Sequence, residues 1–518
     1  MTAWLRHLRL AIVLLAVVVP AAACGNATSS SDSTAAATGA IPADALFYAD
    51  VNLDRESPAW QQFAAVGQRF PGWQRFVDQI MAGMNHGGSS TENVALDTSP
   101  TTSFKDDVEP WLGGSAAFAV TSVDVSSRSV HWIGFVASRD DGKAKAAIAK
   151  SGSAKDGTYK GYTLFRSDDG SGEAAVGDGA VLVGDETGTV KDSIDLRSGG
   201  GDAISGNAAF TGAMAKLPQD SLLRGWANTQ KLSELVGFAS LGSIGSGASG
   251  AQVQQVATAL GQLDSLTFAG WATDAGYHLT LRTTVKDGAD QSLFAPQSAP
   301  STLAPLVPAD AFAFLAVHGY GHYVQQMMGG KGTALQLRQF QRATGLSFQH
   351  DLVPLLSGDA LLFAAPGVPV RAALLLKPAD PAAAESTMHR VARLIARSAP
   401  GTRVSPLPGG SGESITLDNG LTVTWRRTAD GLIALGNDVA AGDAPASPLS
   451  SSPAYRGLLQ RADVPSGAAV ALYFDMGGLL KLLPIASNAN LRHLGGILAW
   501  SSHDGNDYSS DLFVEVTR

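Results

Sequence analysis

The same series of local patterns runs twice, in the same order, through this chain of 518 residues, so the fold must be one that can be built twice. Ile41-Pro42-Ala43-Asp44-Ala45 leads into an apolar run from Leu46, and Val307-Pro308-Ala309-Asp310-Ala311 leads into another from Phe312. Phe104, Asp107, Pro110, Leu112, Gly114 and Ala116 then recur at constant spacing as Phe348, Asp351, Pro354, Leu356, Gly358 and Ala360. Asp178-Gly179 with Gly184 parallels Asp430-Gly431 with Gly436. Each half continues with a helix-like segment closing on proline (207 to 218, 452 to 465) and a strand ending in Asn228 or Asp475. Helical leucines follow (Leu232 and Leu235; Leu479 and Leu482), and each half finishes on a hairpin in which Trp271 and Trp500 are expected to be equivalent. Residues repeated in both copies serve folding first. Pro-Ala-Asp sets backbone angles before a strand, Asp-Gly makes a hairpin turn, and the tryptophans anchor cores.

Short apolar runs of period two alternate with segments of period near 3.6, and the strands outnumber the helices. Residues 116 to 124, 130 to 137, 161 to 166 and 174 to 184 follow one another across short turns, which favours antiparallel meanders. Helices are expected at 57 to 66, 69 to 84, 140 to 151, 249 to 262, 334 to 344 and 379 to 398. The predicted class is α+β, two tandem homologous halves, each an antiparallel sheet with helices packed on one face. Proline and serine crowd 287 to 307, which places a linker at 291–302 between a first half at 41–290 and a second at 303–518. The last expected helix sets Arg390, Arg393 and Arg397 opposite Met388, Val391, Leu394 and Ile395, an amphipathic stripe that should pack its apolar side on the sheet.

Arg6 and Arg9, an unbroken apolar run over 10 to 19, Pro20 and three alanines form an export leader over 1–23. The run is shorter than the roughly 20 residues a spanning helix needs. Cys24, the single cysteine, stands directly after it and is the expected lipid attachment point, with Ala21 where a lipobox prefers leucine. Residues 24–40 are small and polar after Cys24 and read as a flexible tether. The protein is thus expected on the outer face of the cytoplasmic membrane, lipid-anchored, with secretion as the alternative.

With 45% hydrophobic and 16% charged residues the chain can bury substantial cores, and no disulfide is available to staple them. Removing Arg6 and Arg9 takes the formal charge from −9 to −11, and no basic cluster exists for nucleic acid. The opening Pro42-Ala43-Asp44 strand, Pro58-Ala59-Trp60-Gln61 and Phe70-Pro71-Gly72 resemble the bacterial family called domain of unknown function 3352 (DUF3352). The resemblance covers nearly the whole mature chain and implies an exported or anchored protein, with no defined catalytic residues to carry over.

Neither a Gly-x-Ser-x-Gly elbow nor a His-Glu-x-x-His helix occurs. Gly329-Gly330-Lys331-Gly332-Thr333 lacks phosphate-loop spacing and reads as a linker. His318 and His322, four apart around glycines, read as loop histidines, and the first half has Asn52 in place of His318. The adjacent carboxylates Asp140, Asp141, Asp168 and Asp169 read as solvated turns. No cofactor, metal site or catalytic residue is expected. The functional expectation is a non-enzymatic binding or scaffolding protein of the cell envelope, with an unknown envelope ligand or protein as partner. A carrier of lipid or another apolar molecule in a sheet-helix cavity, and an envelope hydrolase of unrecognised type, are the alternatives.

Overall fold

Strands of period two with short turns build antiparallel ladders in the computed structural model of the chain. It describes residues 35–73, 104–124, 127, 129–151, 153–167, 172–242, 257–289, 299–319, 321, 331–438, 440–480 and 491–518. The chain divides into two compact units: Met1–Ala239 with Ala257–Lys286 and Arg518, and Ser240–Val256 with Asp287–Thr517.

The first unit contains β1 (Phe47–Asn52), α1 (Pro58–Gly67), β2 (Leu112–Asp124), β3 (Ser129–Ser138), α2 (Asp141–Lys150), β4 (Ala154–Tyr159), β5 (Tyr162–Arg166), β6 (Glu173–Gly177), β7 (Ala180–Gly184), α3 (Thr187–Arg197), α4 (Ala208–Met214), β8 (Leu223–Ala227), α5 (Thr229–Gly242), β9 (Leu263–Thr273) and β10 (Gly276–Val285). Every pairing within it is antiparallel, in the order β10-β9-β8-β1-β2-β3-β7-β6-β5-β4. The second unit contains β11 (Ala313–His318), α6 (Lys331–Thr344), β12 (Asp359–Ala365), β13 (Arg371–Leu376), α7 (Pro381–Ser398), β14 (Arg403–Pro406), β15 (Gly412–Thr416), β16 (Thr422–Arg427), β17 (Ile433–Gly436), α8 (Pro453–Arg461), β18 (Ala469–Asp475), α9 (Met476–Leu480), β19 (Leu494–Asp504) and β20 (Asp507–Val516). Its order is β20-β19-β18-β11-β12-β13-β17-β16-β15-β14, again antiparallel. The protein is therefore a mixed α and antiparallel-β fold.

Helices on one face only was the expectation, and the structure corrects it. Neighbouring residues of a strand point to opposite faces. Phe135 and Leu182 belong to a core with Val190 and Ile194 of α3 and Phe210 of α4, whereas their neighbours Val136 and Val181 pack with Ala144 of α2. Both faces of the first sheet are apolar and both carry helices. The second sheet behaves alike: α7 buries Met388 and Ala392 against Trp425 and Ile433, while Tyr455 of α8 packs edge-on against Tyr473, 5.0 Å between ring centres. Arg393 and Arg397 of α7 are exposed, so its apolar stripe packs on the sheet.

The repeated Asp107 and Asp351 sit on matching π-helical turns, Phe104–Val108 and Phe348–Leu352. Each receives a cation from the helix that follows, Lys150 at 2.8 Å and Arg390 at 2.5 Å. The repeated Asp-Gly turns are not alike. Asp178 and Gly179 both have positive φ (51° and 67°), which makes a two-residue hairpin. At the second site only Gly431 does, in a wider loop closed by Leu432 N–H on Thr428 Oγ1. Trp271 and Trp500 are not equivalent either. Trp271 lies two residues before Thr273, which closes its hairpin with Gly276, and Trp500 lies four before Asp504, which closes the other with Asp507.

Part of the segment read as a tether is packed: residues 35–38 form a helical turn, Ala37 and Ala40 are buried in the first core, and Arg197 Nη1 donates to Ala36 O at 3.1 Å. Lys331, Gly332 and Thr333, read as linker, open α6. Among the described residues no helix is long and apolar enough to cross a membrane.

Candidate functional site

The two central strand pairs, β1–β8 and β11–β18, begin at the same turn and use the same positions differently. Counting six residues on from the Pro-Ala-Asp aspartate gives Asp50 in β1 and Ala316 in β11. Asp50 is directly cross-strand from Arg224. Its two oxygens accept from Arg224 Nε at 3.1 Å and Nη2 at 3.0 Å, and the Tyr48 hydroxyl donates to Oδ2 at 3.1 Å. Asp50 is only 5% exposed. Burial pushes its carboxyl pKa up, and the opposing pull of Arg224 and Tyr48 is the smaller effect. Burial, reinforced by Asp50, also holds the Tyr48 hydroxyl well above its ordinary value.

In the second unit that ion pair is absent. Ala316 and Ala471 stand on the facing strands, and a partly open cavity of about 200 Å³ lies between them, walled also by Val317, Val470, Ala299 and Ala469. Ser301, Ser501 and His318 supply its polar lining. Next to it, Phe314 and Tyr473 fill the space towards α8, their rings 5.9 Å apart.

His318 ends β11 and faces Asp359, the first residue of β12, in the adjacent cross-strand position. The imidazole Nδ1 contacts Asp359 Oδ1. The other oxygen accepts from Thr302 N–H at 2.7 Å, Thr302 Oγ1 at 2.5 Å and Ser301 Oγ at 3.4 Å. Lys377 Nζ in turn donates to Thr302 Oγ1 at 3.2 Å. Asp359 is 2% exposed. Burial pushes its pKa up, but the hydrogen bonds from Thr302 and His318 outweigh it and hold the carboxyl below the ordinary range. The buried carboxylate thus holds the imidazole of His318 by its Nδ1 side, and the residue lines the cavity. Among the described residues no hydroxyl bonds this imidazole. Ser301 Oγ donates to Asp359 and accepts from Leu303 N–H at 3.2 Å, so no nucleophile is paired with the base.

The matching positions of the first unit do other work. Asn52, directly cross-strand from Ser115, donates to Ser57 Oγ at 3.1 Å and accepts from Asp54 N–H at 2.8 Å. Ser57 caps α1. The polar pair that orients an imidazole in one unit is thus replaced by a helix start in the other.

Of the residues singled out in the sequence, His318 belongs to this site, on a strand end and not in a loop. Cys24, His322, Asp168 and Asp169 lie outside the described residues. Asp140 caps α2, accepting from Lys143 N–H at 3.0 Å, and this bond lowers its pKa. Asp141 Oδ2 accepts from Gly179 N–H at 3.2 Å. Both are structural. Asp359, Thr302 and the two alanines were not singled out. Their signal was in the departures between the repeated patterns, Asp50 to Ala316 and Asn52 to His318, rather than in the matches.

A two-unit antiparallel scaffold with a small pocket defines a class of architecture rather than a reaction. The chain belongs to the family described as "Protein of unknown function (DUF3352)", whose model matches residues 8–494. No curated protein matches. Among solved structures the chain has a slight likeness to TP0453. Its crystal form III is 9% identical with a TM-score of 0.27, over 49% of this chain and 82% of that one. Crystal form I is 10% identical with a TM-score of 0.27, over 49% and 80%.

Proposed function

We propose that the protein is a non-enzymatic binding lipoprotein of the bacterial envelope, anchored through Cys24 to the outer face of the cytoplasmic membrane. Its two homologous units arose by duplication, and the pocket beside His318 is its ligand site. The observation that carries this reading is the exchange of the buried Asp50–Arg224 pair for Ala316 and Ala471, which leaves a cavity with an oriented imidazole at its edge. Structural need alone favours filling such a space.

At about 200 Å³ the cavity has the volume of roughly seven liquid-state waters at ~30 Å³ each. Pockets for drug-sized ligands run from about 300 to 1,000 Å³. The pocket therefore suits a small molecule with an apolar body and one polar end, and not the acyl chains of a carried lipid. The net charge and the lack of a basic cluster speak against nucleic acid as partner.

Intact and native mass spectrometry on protein purified from its own membrane tests the reading. The expected result is a diacylglycerol mass on Cys24 and a small non-covalent adduct that is weakened about tenfold in His318→Ala, the effect of one lost hydrogen bond of ~1–1.5 kcal/mol. An unmodified Cys24 would remove the anchor. Turnover of an envelope substrate would overturn the non-enzymatic assignment.

A further inference from the structure

The first unit carries a second cluster, remote in sequence from the strand pair discussed above. His131 lies on β3, and Asp185 and Glu186 follow β7 at the bend into α3. The antiparallel pairing Ile133 with Gly184 brings His131 beside the two acidic residues. Their ligand atoms all lie within 4.8 Å of one another. His131 Nδ1 is 2.7 Å from Asp185 Oδ2 and 3.5 Å from Glu186 Oε1.

We propose that His131, Asp185 and Glu186 bind a divalent first-row metal ion, Zn²⁺ by preference, with solvent in the remaining position. Three features carry the inference. Asp185 is anchored in advance: Trp132 N–H donates to its Oδ1 at 2.9 Å, which turns Oδ2 towards the imidazole. Such a partner to the outer oxygen is what orients a carboxylate ligand. Glu186 occupies the N-cap position of α3 but makes no capping bond; its carboxylate is turned to His131 instead. Beside them Glu173, cross-strand from Gly184 and only 3% exposed, is bonded to Thr187 through one oxygen while Oε1 has no partner.

The geometry is within reach of a tetrahedral ion. Zn–N and Zn–O lengths near 2.0–2.2 Å place ligand atoms about 3.3–3.5 Å apart. The Nδ1 to Glu186 distance already fits, and the Nδ1 to Asp185 distance needs to open by about 0.6 Å. Charge agrees as well: two carboxylates and a neutral imidazole carry −2, which the ion neutralises. An imidazole nitrogen in the set favours Zn²⁺ over Mg²⁺ or Ca²⁺.

The test is calorimetric titration of ZnCl₂ into the untagged, chelator-treated full chain, compared with Glu186→Gln, Asp185→Asn and His131→Ala. Glu186 is exposed, and the amide introduced by Asp185→Asn retains an acceptor for Trp132 N–H, so these two variants should keep the fold, which circular dichroism checks. The expected result is one Zn²⁺ per chain, bound at least tenfold more weakly by each variant, with Mg²⁺ giving no competing heat. Absence of stoichiometric binding, or binding unchanged in folded Glu186→Gln and Asp185→Asn, would overturn the site and mark the cluster as a plain ion pair.

Discussion

The two central strand pairs solve the same packing problem in opposite ways. In β1 and β8 the space is filled by Asp50 and Arg224, a bidentate buried pair completed by Tyr48. In β11 and β18 two alanines leave it open, and polarity shifts to the edge, where Asp359 fixes His318. A buried ion pair adds little net stability over apolar packing, because desolvation offsets its Coulomb gain. The first unit therefore does not need the pair for strength, and the second does not need its absence. What differs is the filling: polar side chains occupy the space in one unit, and a cavity of about 200 Å³ lies beside the alanines of the other.

The comparison can be broken most forcefully at the ion pair. Asp50→Ala or Arg224→Ala alone leaves a buried charge unpaired and should destabilise the first unit by about 3–5 kcal/mol. The double variant, which copies the alanines of the second unit, should lose clearly less than the sum. A double-mutant cycle from urea unfolding followed at Trp226 measures this. Simple additivity would mean that the two side chains do not act as a pair.

A smaller effect separates the repeated glycines. A Cβ on Gly436 would lie 2.1 Å from Ala372 O, a backbone atom, whereas one on Gly184 meets the Val190 Cγ2 methyl at 2.9 Å. Gly436→Ala should cost about 1–3 kcal/mol by overpacking and Gly184→Ala less, because a side chain can yield where a ladder cannot. Thermal melts of the two variants decide the order.

The acid response sharpens the contrast further. Asp359 has a folded pKa below its unfolded value, so its stabilisation is complete above the ordinary carboxylate range and is lost as pH falls through the folded value. Asp50 has a raised folded pKa, so its own contribution favours the native state at low pH and is lost as pH rises through that value. Stability measured from pH 2 to 7 should therefore lose part of its acid-side fall in Asp359→Asn, and the same change at Asp50 should not reproduce that loss. The smallest expected effect is Asp140→Ala, about 1 kcal/mol for an N-cap, read from the melting temperature.

Much of the strand content was legible because period two survives in half-buried ladders, as in the last hairpin of the first half, where burial alternates along β9 and β10. Helix α7 was legible from its stripe of Met388, Val391, Leu394 and Ile395, of which Met388 is buried. Helices on both sheet faces were not, since alternation reports that a face is apolar without saying what covers it. Helix α3 leaves little trace in the sequence: TGTVKDSIDLR buries only Val190, Ser193 and Ile194, too few apolar positions for a clear 3.6 period. The tryptophan equivalence failed because Trp271 and Trp500 share a strand face yet differ by two residues from their turns. The candidate site was hidden for another reason. Its wall is made of alanines, which carry no chemical signature, and its orienting acid, Asp359, sits between the repeated Gly358 and Ala360, whose match to the first half masks it.

The central claim is that the opening at Ala316 and Ala471 is a ligand site. Native mass spectrometry of Ala316→Asp/Ala471→Arg, which rebuilds the first unit's ion pair in the second, tests it against the unaltered protein from the same membrane. The account predicts a small adduct on the unaltered chain and none on the plugged variant, with both folded by circular dichroism. The same adduct on both, or none on the unaltered chain, would contradict it.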